Sequence, residues 1–193
     1  MDRATLLKAT IGVESLAGVI ALVAIRLASV QPAWASGPAQ IGGGVALGLL
    51  TAAGAIGLTR IRPRILARLQ ADFQLAVRLF GKATVLDLAV VSLLAGVGEE
   101  LLFRGFLQTW FAQAAGAHVA VLAAAVVFGL AHAISRSYVV FASVLGISLG
   151  YLYHLTGSLP AAMVAHAVYD FAALYYGTRI MQPADETSGA SVH

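Results

Sequence analysis

The chain is 193 residues long, 60% of them apolar and only 11% charged. Soluble domains carry about 25% charged residues, so this chain lacks the polar surface that a water-soluble globule of its size needs. The absence of cysteine excludes a disulfide scaffold and a zinc ribbon, and the apolar content excludes a disordered chain. What remains is an all-α, polytopic membrane helix bundle of one domain. Its net charge of +3 is a matter of membrane topology rather than of a nucleic-acid partner.

A helix crosses the hydrocarbon core with about 20 apolar residues. Stretches of that kind run over 9–30, 40–59, 84–111, 118–135, 138–157 and 159–178, which predicts about six transmembrane helices. The first holds Glu14 and Arg26, three turns apart, and the spacing assigns them to opposite interfaces. Behind it, Ala33-Trp34-Ala35 has the look of a signal-peptidase site. The preceding run is longer than a usual signal-peptide core and carries charge, so an uncleaved first helix is expected. Gly44-x3-Gly48 and Gly146-x3-Gly150 are small-residue pairs that let helices pack closely. Between the second and third stretches, Ile61, Ile65, Leu66, Leu69, Phe73, Ala76, Val77 and Phe80 recur at helical spacing with arginines opposite. This predicts an amphipathic helix over about 61–80 lying in the interface, with Pro63 in its first turn. The domain is expected to span 1–181, followed by a disordered cytoplasmic tail, 182–193.

Six alternating helices put Arg3, Lys8, Arg60, Arg62, Arg64, Arg68, Arg78, Lys82, Arg136 and Arg179 on one side, and only Arg26 toward the other. By the positive-inside rule both termini are then cytoplasmic, in a plasma or bacterial inner membrane. No internal repeat is present, which removes the best sequence cue for a transporter built from two inverted halves.

Ionisable groups within a span are costly and mark function. The third stretch holds Gly98-Glu99-Glu100-Leu101-Leu102-Phe103-Arg104, the fourth Phe128-Gly129-Leu130-Ala131-His132, the sixth His166-Ala167-Val168-Tyr169-Asp170. One-turn spacing places Glu100 with Arg104, Phe128 with His132, and His166 with Asp170 on common faces. At 1.5 Å per residue, Glu99 lies about 20 Å from the outer end of its span, His132 about 22 Å, His166 about 10 Å and Asp170 about 16 Å. All four fall in the middle band of the bilayer and can converge on one site. Adjacent carboxylates point about 100° apart, so Arg104 can neutralise Glu100 while Glu99 faces the site.

A glutamate beside a histidine can hold and deprotonate water, and a second histidine with a partner one turn away can stabilise an oxyanion. Alternatively, Glu99, His132 and His166 could bind a divalent metal such as zinc, leaving one position for water. Both schemes hydrolyse a peptide bond within the membrane without a serine or cysteine nucleophile. A proton or ion path uses the same residue types, and a non-catalytic immunity or scaffold protein is a further alternative. No His-Glu-x-x-His motif is present, and Gly146-Ile147-Ser148-Leu149-Gly150 lacks the strand a nucleophile elbow requires.

Glu99-Glu100-x3-Arg104, Phe128-x3-His132 and His166-x3-Asp170, in that order, resemble the three motifs of the CPBP (Abi) family of intramembrane proteases, which includes CAAX prenyl endopeptidases and bacteriocin-processing proteins. The match spans about residues 84–178. The resemblance implies that Glu99 and His132 activate water, that His166 and residue 170 support the oxyanion or its geometry, and that Glu100–Arg104 is a structural pair. It also implies a peptide substrate, prenylated at its C-terminus in the CAAX case, and either a metal-dependent or a metal-free glutamate mechanism. The third motif usually closes in asparagine. An ionised Asp170 donates no hydrogen bond, and orienting His166 or binding a metal suits it better.

Overall fold

The computed structural model describes residues 2–60 and 67–181. Ile61, Arg62, Pro63, Arg64, Ile65 and Leu66 of the expected interfacial helix, and the tail 182–193, lie outside the described residues. The described chain is helical almost throughout: α1 (Arg3–Leu27), α2 (Pro38–Arg60), α3 (Ala67–Phe80), α4 (Val85–Glu100), α5 (Thr109–Ala115), α6 (Ala117–Ala131), α7 (Arg136–Thr156) and α8 (Leu159–Tyr175). Of these, α1, α2 and α7 are long and apolar enough to cross a membrane, and α6 is a shorter apolar helix. This is an all-α, polytopic membrane bundle.

Local chemistry sets most helix ends. Asp2 caps α1 by accepting from the Thr5 amide at 2.8 Å, and Thr84 and Asp87 close a reciprocal capping box on α4. Ser135 caps α7 and Ser158 caps α8, each accepting an amide hydrogen bond three residues on. Gly157 ends α7 with φ 59°, a left-handed conformation that glycine adopts without a Cβ penalty. The helical path does not stop at Glu100. It runs through a π-helical stretch, Leu101–Gln108, into α5. Wide turns of this kind are often found at functional sites, and this one begins directly after the two glutamates.

Helix α8 is the central element, packed between α2 and α4, while α6 pairs with α7 and α1 lies on α4. The Gly44 and Gly48 pair makes the α2–α8 contact. A Cβ on Gly44 would come within 2.5 Å of the Ala161 carbonyl oxygen, and one on Gly48 within 2.6 Å of that of Ala165. Gly146 and Gly150 do the same on α7, against Ala125 and against Val121 and Gln108. Both pairs are packing devices. Ser148, between the second pair, donates to the Val144 carbonyl of its own helix.

The two ends of the bundle are tied differently. At one, the strand-like segment around Trp34 bridges Ser158, with the Leu159 amide donating to the Ala33 carbonyl at 3.0 Å. At the other, Arg3 forms a bidentate pair with Asp87 at 2.7 and 2.8 Å, Arg60 lies over the Tyr176 ring, and Arg179 donates to the Ala83 carbonyl.

A side chain at Gly48 has no room, because its neighbour is backbone. Gly48→Leu is expected to destabilise the bundle by about 1–3 kcal/mol or more, read as a lowered unfolding midpoint in detergent. Gly54→Ala, where a Cβ meets nothing within 4 Å, should leave the midpoint unchanged or raised.

Candidate active site

The site assembles from α4, the start of the π-helical stretch, the end of α6 and the middle of α8. Its foundation is Glu100, which is 0% exposed, with Arg104 at 1%. Arg104 Nη1 donates to Glu100 Oε1 at 2.7 Å, and Nη2 donates to the Gly146 carbonyl on α7 at 2.8 Å. The same Glu100 oxygen accepts from His166 Nδ1 on α8 at 2.8 Å. One carboxylate oxygen thus joins an arginine and a histidine in a fully buried chain.

That bond also sets the histidine's chemistry. Glu100, already paired with Arg104, can only accept, so His166 Nδ1 carries a proton and Nε2 faces outward. His166 Nε2 stands 3.5 Å from Asp170 Oδ2 and 4.0 Å from Glu99 Oε2. His132 is arranged in parallel. Its Nδ1 donates to the Phe128 carbonyl at 2.8 Å, which leaves Nε2 at 3.4 Å from the same Glu99 oxygen. Glu99 Oε2 itself is buried and has no hydrogen-bond partner among the described residues. Two histidine nitrogens from different helices therefore face one unsatisfied carboxylate oxygen, with room between them.

The structure brings together all six residues singled out in the sequence: Glu99, Glu100, Arg104, His132, His166 and Asp170. The different depths expected from span ends collapse to contact distances, for an identifiable reason. Helix α6 ends at Ala131, and His132 is its C-cap at φ −100° rather than a residue inside a span reaching 135. There its ring serves one of the orphan carbonyls of the last turn. The Phe128 ring packs beneath, 4.5 Å from the His132 ring and 5.9 Å from that of His166, and Arg104 lies over it at 4.7 Å.

Glu99, His132, His166 and Asp170 line a cavity of about 100 Å³ with Tyr138, Tyr169 and apolar side chains. It adjoins a larger one of about 300 Å³ whose walls include Leu58, Leu69, Phe73, Phe80, Phe141 and Leu174. Glu14 of α1 lines this larger cavity with Glu99 and Asp170. An interfacial Glu14, as its spacing from Arg26 suggests, does not account for this place in the wall; a carboxylate within an apolar span is the signal that points to it. Tyr138 and Tyr169 carry no such signal, although Tyr169 sits inside the third motif.

The donor set suits a divalent metal in kind and only partly in spacing. Glu99, His132 and His166 are the right kinds of ligand, and each histidine's far nitrogen is bonded as in metal-ligating histidines. Zinc held at about 2.0–2.1 Å in a tetrahedron sets its ligand atoms roughly 3.3–3.4 Å apart. The 3.4 Å His132–Glu99 spacing matches this and the 4.0 Å His166–Glu99 spacing exceeds it. Among the described residues no three His, Cys, Asp or Glu side chains stand together as a metal-holding group.

Residues 81–172 match the family described as Type II CAAX prenyl endopeptidase Rce1-like, and that segment contains every residue of the cluster. The match covers just under half of the chain and is a likeness of that segment to the family. The chain is also similar to an uncharacterized Bacillus subtilis protein, YpbD, with 33% identity over 96 residues, 48% of this chain and 47% of that protein. The chain thus spans about half the length of the curated relative it matches. No solved structure matches it. The CAAX-protease-like segment begins just before α4 and ends in α8, so α1, α2 and α3 lie outside the matched residues while α1, α2 and α3 supply cavity walls.

The Glu100–Arg104 pair allows a direct test of the foundation. Arg104→Met leaves a buried carboxylate without its cation and is expected to cost about 3–5 kcal/mol, seen as loss of folded protein in detergent. Adding Glu100→Gln should restore part of that stability, measured by the unfolding midpoint of the double variant.

Proposed function

We propose that the protein is an intramembrane endopeptidase in which Glu99 and His132 activate a water for attack on a peptide bond. The observation that carries this is the unpartnered, buried Glu99 Oε2 faced by two histidine nitrogens. With Nδ1 protonated, a neutral His132 turns a bare nitrogen toward a carboxylate, and two lone pairs at 3.4 Å are mutually repulsive. A water fills that requirement by donating one hydrogen to each. Glu99 then takes a proton as general base, and the hydroxide adds to the carbonyl carbon. As the C–N bond breaks, the proton held by Glu99 passes to the leaving nitrogen, so the site returns to its starting state. His166, between Glu100 and Asp170, contributes positive charge beside the developing oxyanion when it holds a second proton. Asp170 orients that ring.

Glu99, His132 and His166 are the residues that would hold a divalent metal such as zinc, and such an ion would supply an acidified water. The apolar walls of the larger cavity support a peptide substrate carrying an apolar group, a prenylated C-terminus in the CAAX case. The CPBP (Abi) motifs support placing the chain in that branch of the CAAX-protease superfamily. For topology we adopt six crossings, with Val85–Ala115 counted as one and α3 lying in the interface. The arginines gathered at one end support cytoplasmic termini, in a bacterial-type inner or plasma membrane.

Cleavage of prenylated and unprenylated peptides by purified protein in detergent or proteoliposomes tests the assignment. Glu99→Gln and His132→Ala should each lower kcat by about 10²–10⁴-fold with the unfolding midpoint retained. Cleavage that persists unchanged in Glu99→Gln would overturn the site, and proton flux lost in the same variant would support a translocator instead. Activity that survives verified metal removal assigns the chemistry to Glu99 and His132 alone; activity lost to chelation and regained with zinc assigns an ion to this triad.

A further inference from the structure

Peptide hydrolysis needs a hydrogen-bond donor where the carbonyl oxygen becomes an oxyanion, and the catalytic cavity has few donors to offer. Its polar lining is Glu99, His132, Tyr138, His166, Tyr169 and Asp170. Asp170 only accepts, and the proton that Glu99 takes from the water is committed to the leaving nitrogen. The Nδ1 protons of His132 and His166 are given to the Phe128 carbonyl and to Glu100. A second proton on His166 faces Asp170 at 3.5 Å and Glu99 at 4.0 Å, so it is shared with carboxylates. Arg104 does not line the cavity and directs Nη1 and Nη2 to Glu100 and Gly146. The phenol groups of Tyr138 and Tyr169 remain, and neither hydroxyl is hydrogen-bonded among the described residues.

Position separates the two. Both rings neighbour Phe141, at 6.1 Å for Tyr138 and 6.4 Å for Tyr169, but the Tyr138 ring also lies 6.4 Å from that of His132, beside the His132–Glu99 pair. Tyr138 is also anchored through its backbone. Its amide donates to Ser135 Oγ at 3.1 Å, and that hydroxyl in turn donates to Asp72 on α3. The first turn of α7 is held in place while the phenol oxygen stays uncommitted.

We propose that the Tyr138 hydroxyl donates the hydrogen bond that stabilises the tetrahedral oxyanion, as a catalytic residue of the hydrolysis proposed above. It keeps its proton throughout and loses the bond when the intermediate collapses. The inference rests on the peptidase reading, which Glu99→Gln tests separately.

Tyr138→Phe should lower kcat by about 10²–10³-fold, the usual cost of one oxyanion donor, while KM and the unfolding midpoint hold. Tyr169→Phe, at the other phenol of the cavity, should lose much less than Tyr138→Phe. Full activity in Tyr138→Phe beside an inactive Glu99→Gln overturns Tyr138 and leaves the peptidase reading standing; a large loss in Tyr169→Phe alone also overturns it. A more acidic fluorinated tyrosine at 138 provides the test if Tyr138→Phe does not fold. A phenolate cannot donate, so the rate should fall at alkaline pH where wild type remains active. Superimposable pH profiles would refute the proposal.

Discussion

One oxygen atom organises this molecule. Glu100 Oε1 accepts from Arg104 at 2.7 Å and from His166 at 2.8 Å, and Arg104 reaches on to the Gly146 carbonyl. Three segments of the bundle are locked by that chain: the α4–π junction, α8 and α7. These groups lie at zero or one per cent exposure, so the hydrogen bonds act at low local dielectric, where they are strong if satisfied and costly if broken. The alternative for a buried ion pair, replacement by apolar packing, is often just as stable. What this pair adds is a specified proton on His166 Nδ1.

Reactivity follows from that specification. Glu100 is consumed in structure, so Glu99, one residue earlier and turned by about 100°, is left to face the histidines. His132 reaches the same tautomer by a different route, through the last carbonyls of α6. The result is a polar pocket whose bases point inward and whose protons are tied up behind them. The neighbouring apolar cavity is closed partly by α3, whose Leu69, Phe73 and Phe80 join its wall. Asp72 on the same helix holds Ser135, three residues after His132. The element covering the cavity is therefore linked to the loop carrying a site residue.

Much of the site was legible because its residue types are expensive where they lie. Glu99, Glu100, Arg104, His132, His166 and Asp170 stand out as ionisable groups in apolar stretches, and one-turn spacing pairs them correctly. Other features carried no such mark. The π-helical stretch at Leu101–Gln108 has ordinary apolar composition, so nothing in its periodicity announces wider turns. His132 reads as the end of a helical run, yet its role as a cap depends on where α6 stops. Tyr138 looks like a core aromatic at the head of a span, and only the tertiary structure brings it to the cavity wall. Glu14 was visible as a charge in an apolar stretch, but its direction depends on how α1 leans on α4, where its carbonyl crowds Gly98.

The sequence alone determined that this chain lives in a membrane, that it is a helical bundle, and that three of its apolar stretches carry carboxylates and histidines. Those conclusions follow from apolar length and from the cost of burying charge, which are properties of single segments. Which oxygen pairs with Arg104, which nitrogen of each histidine holds the proton, and which hydroxyl is left uncommitted are decided only between segments. They depend on distances of about 3 Å across α4, α6, α7 and α8, and no spacing along one helix encodes them.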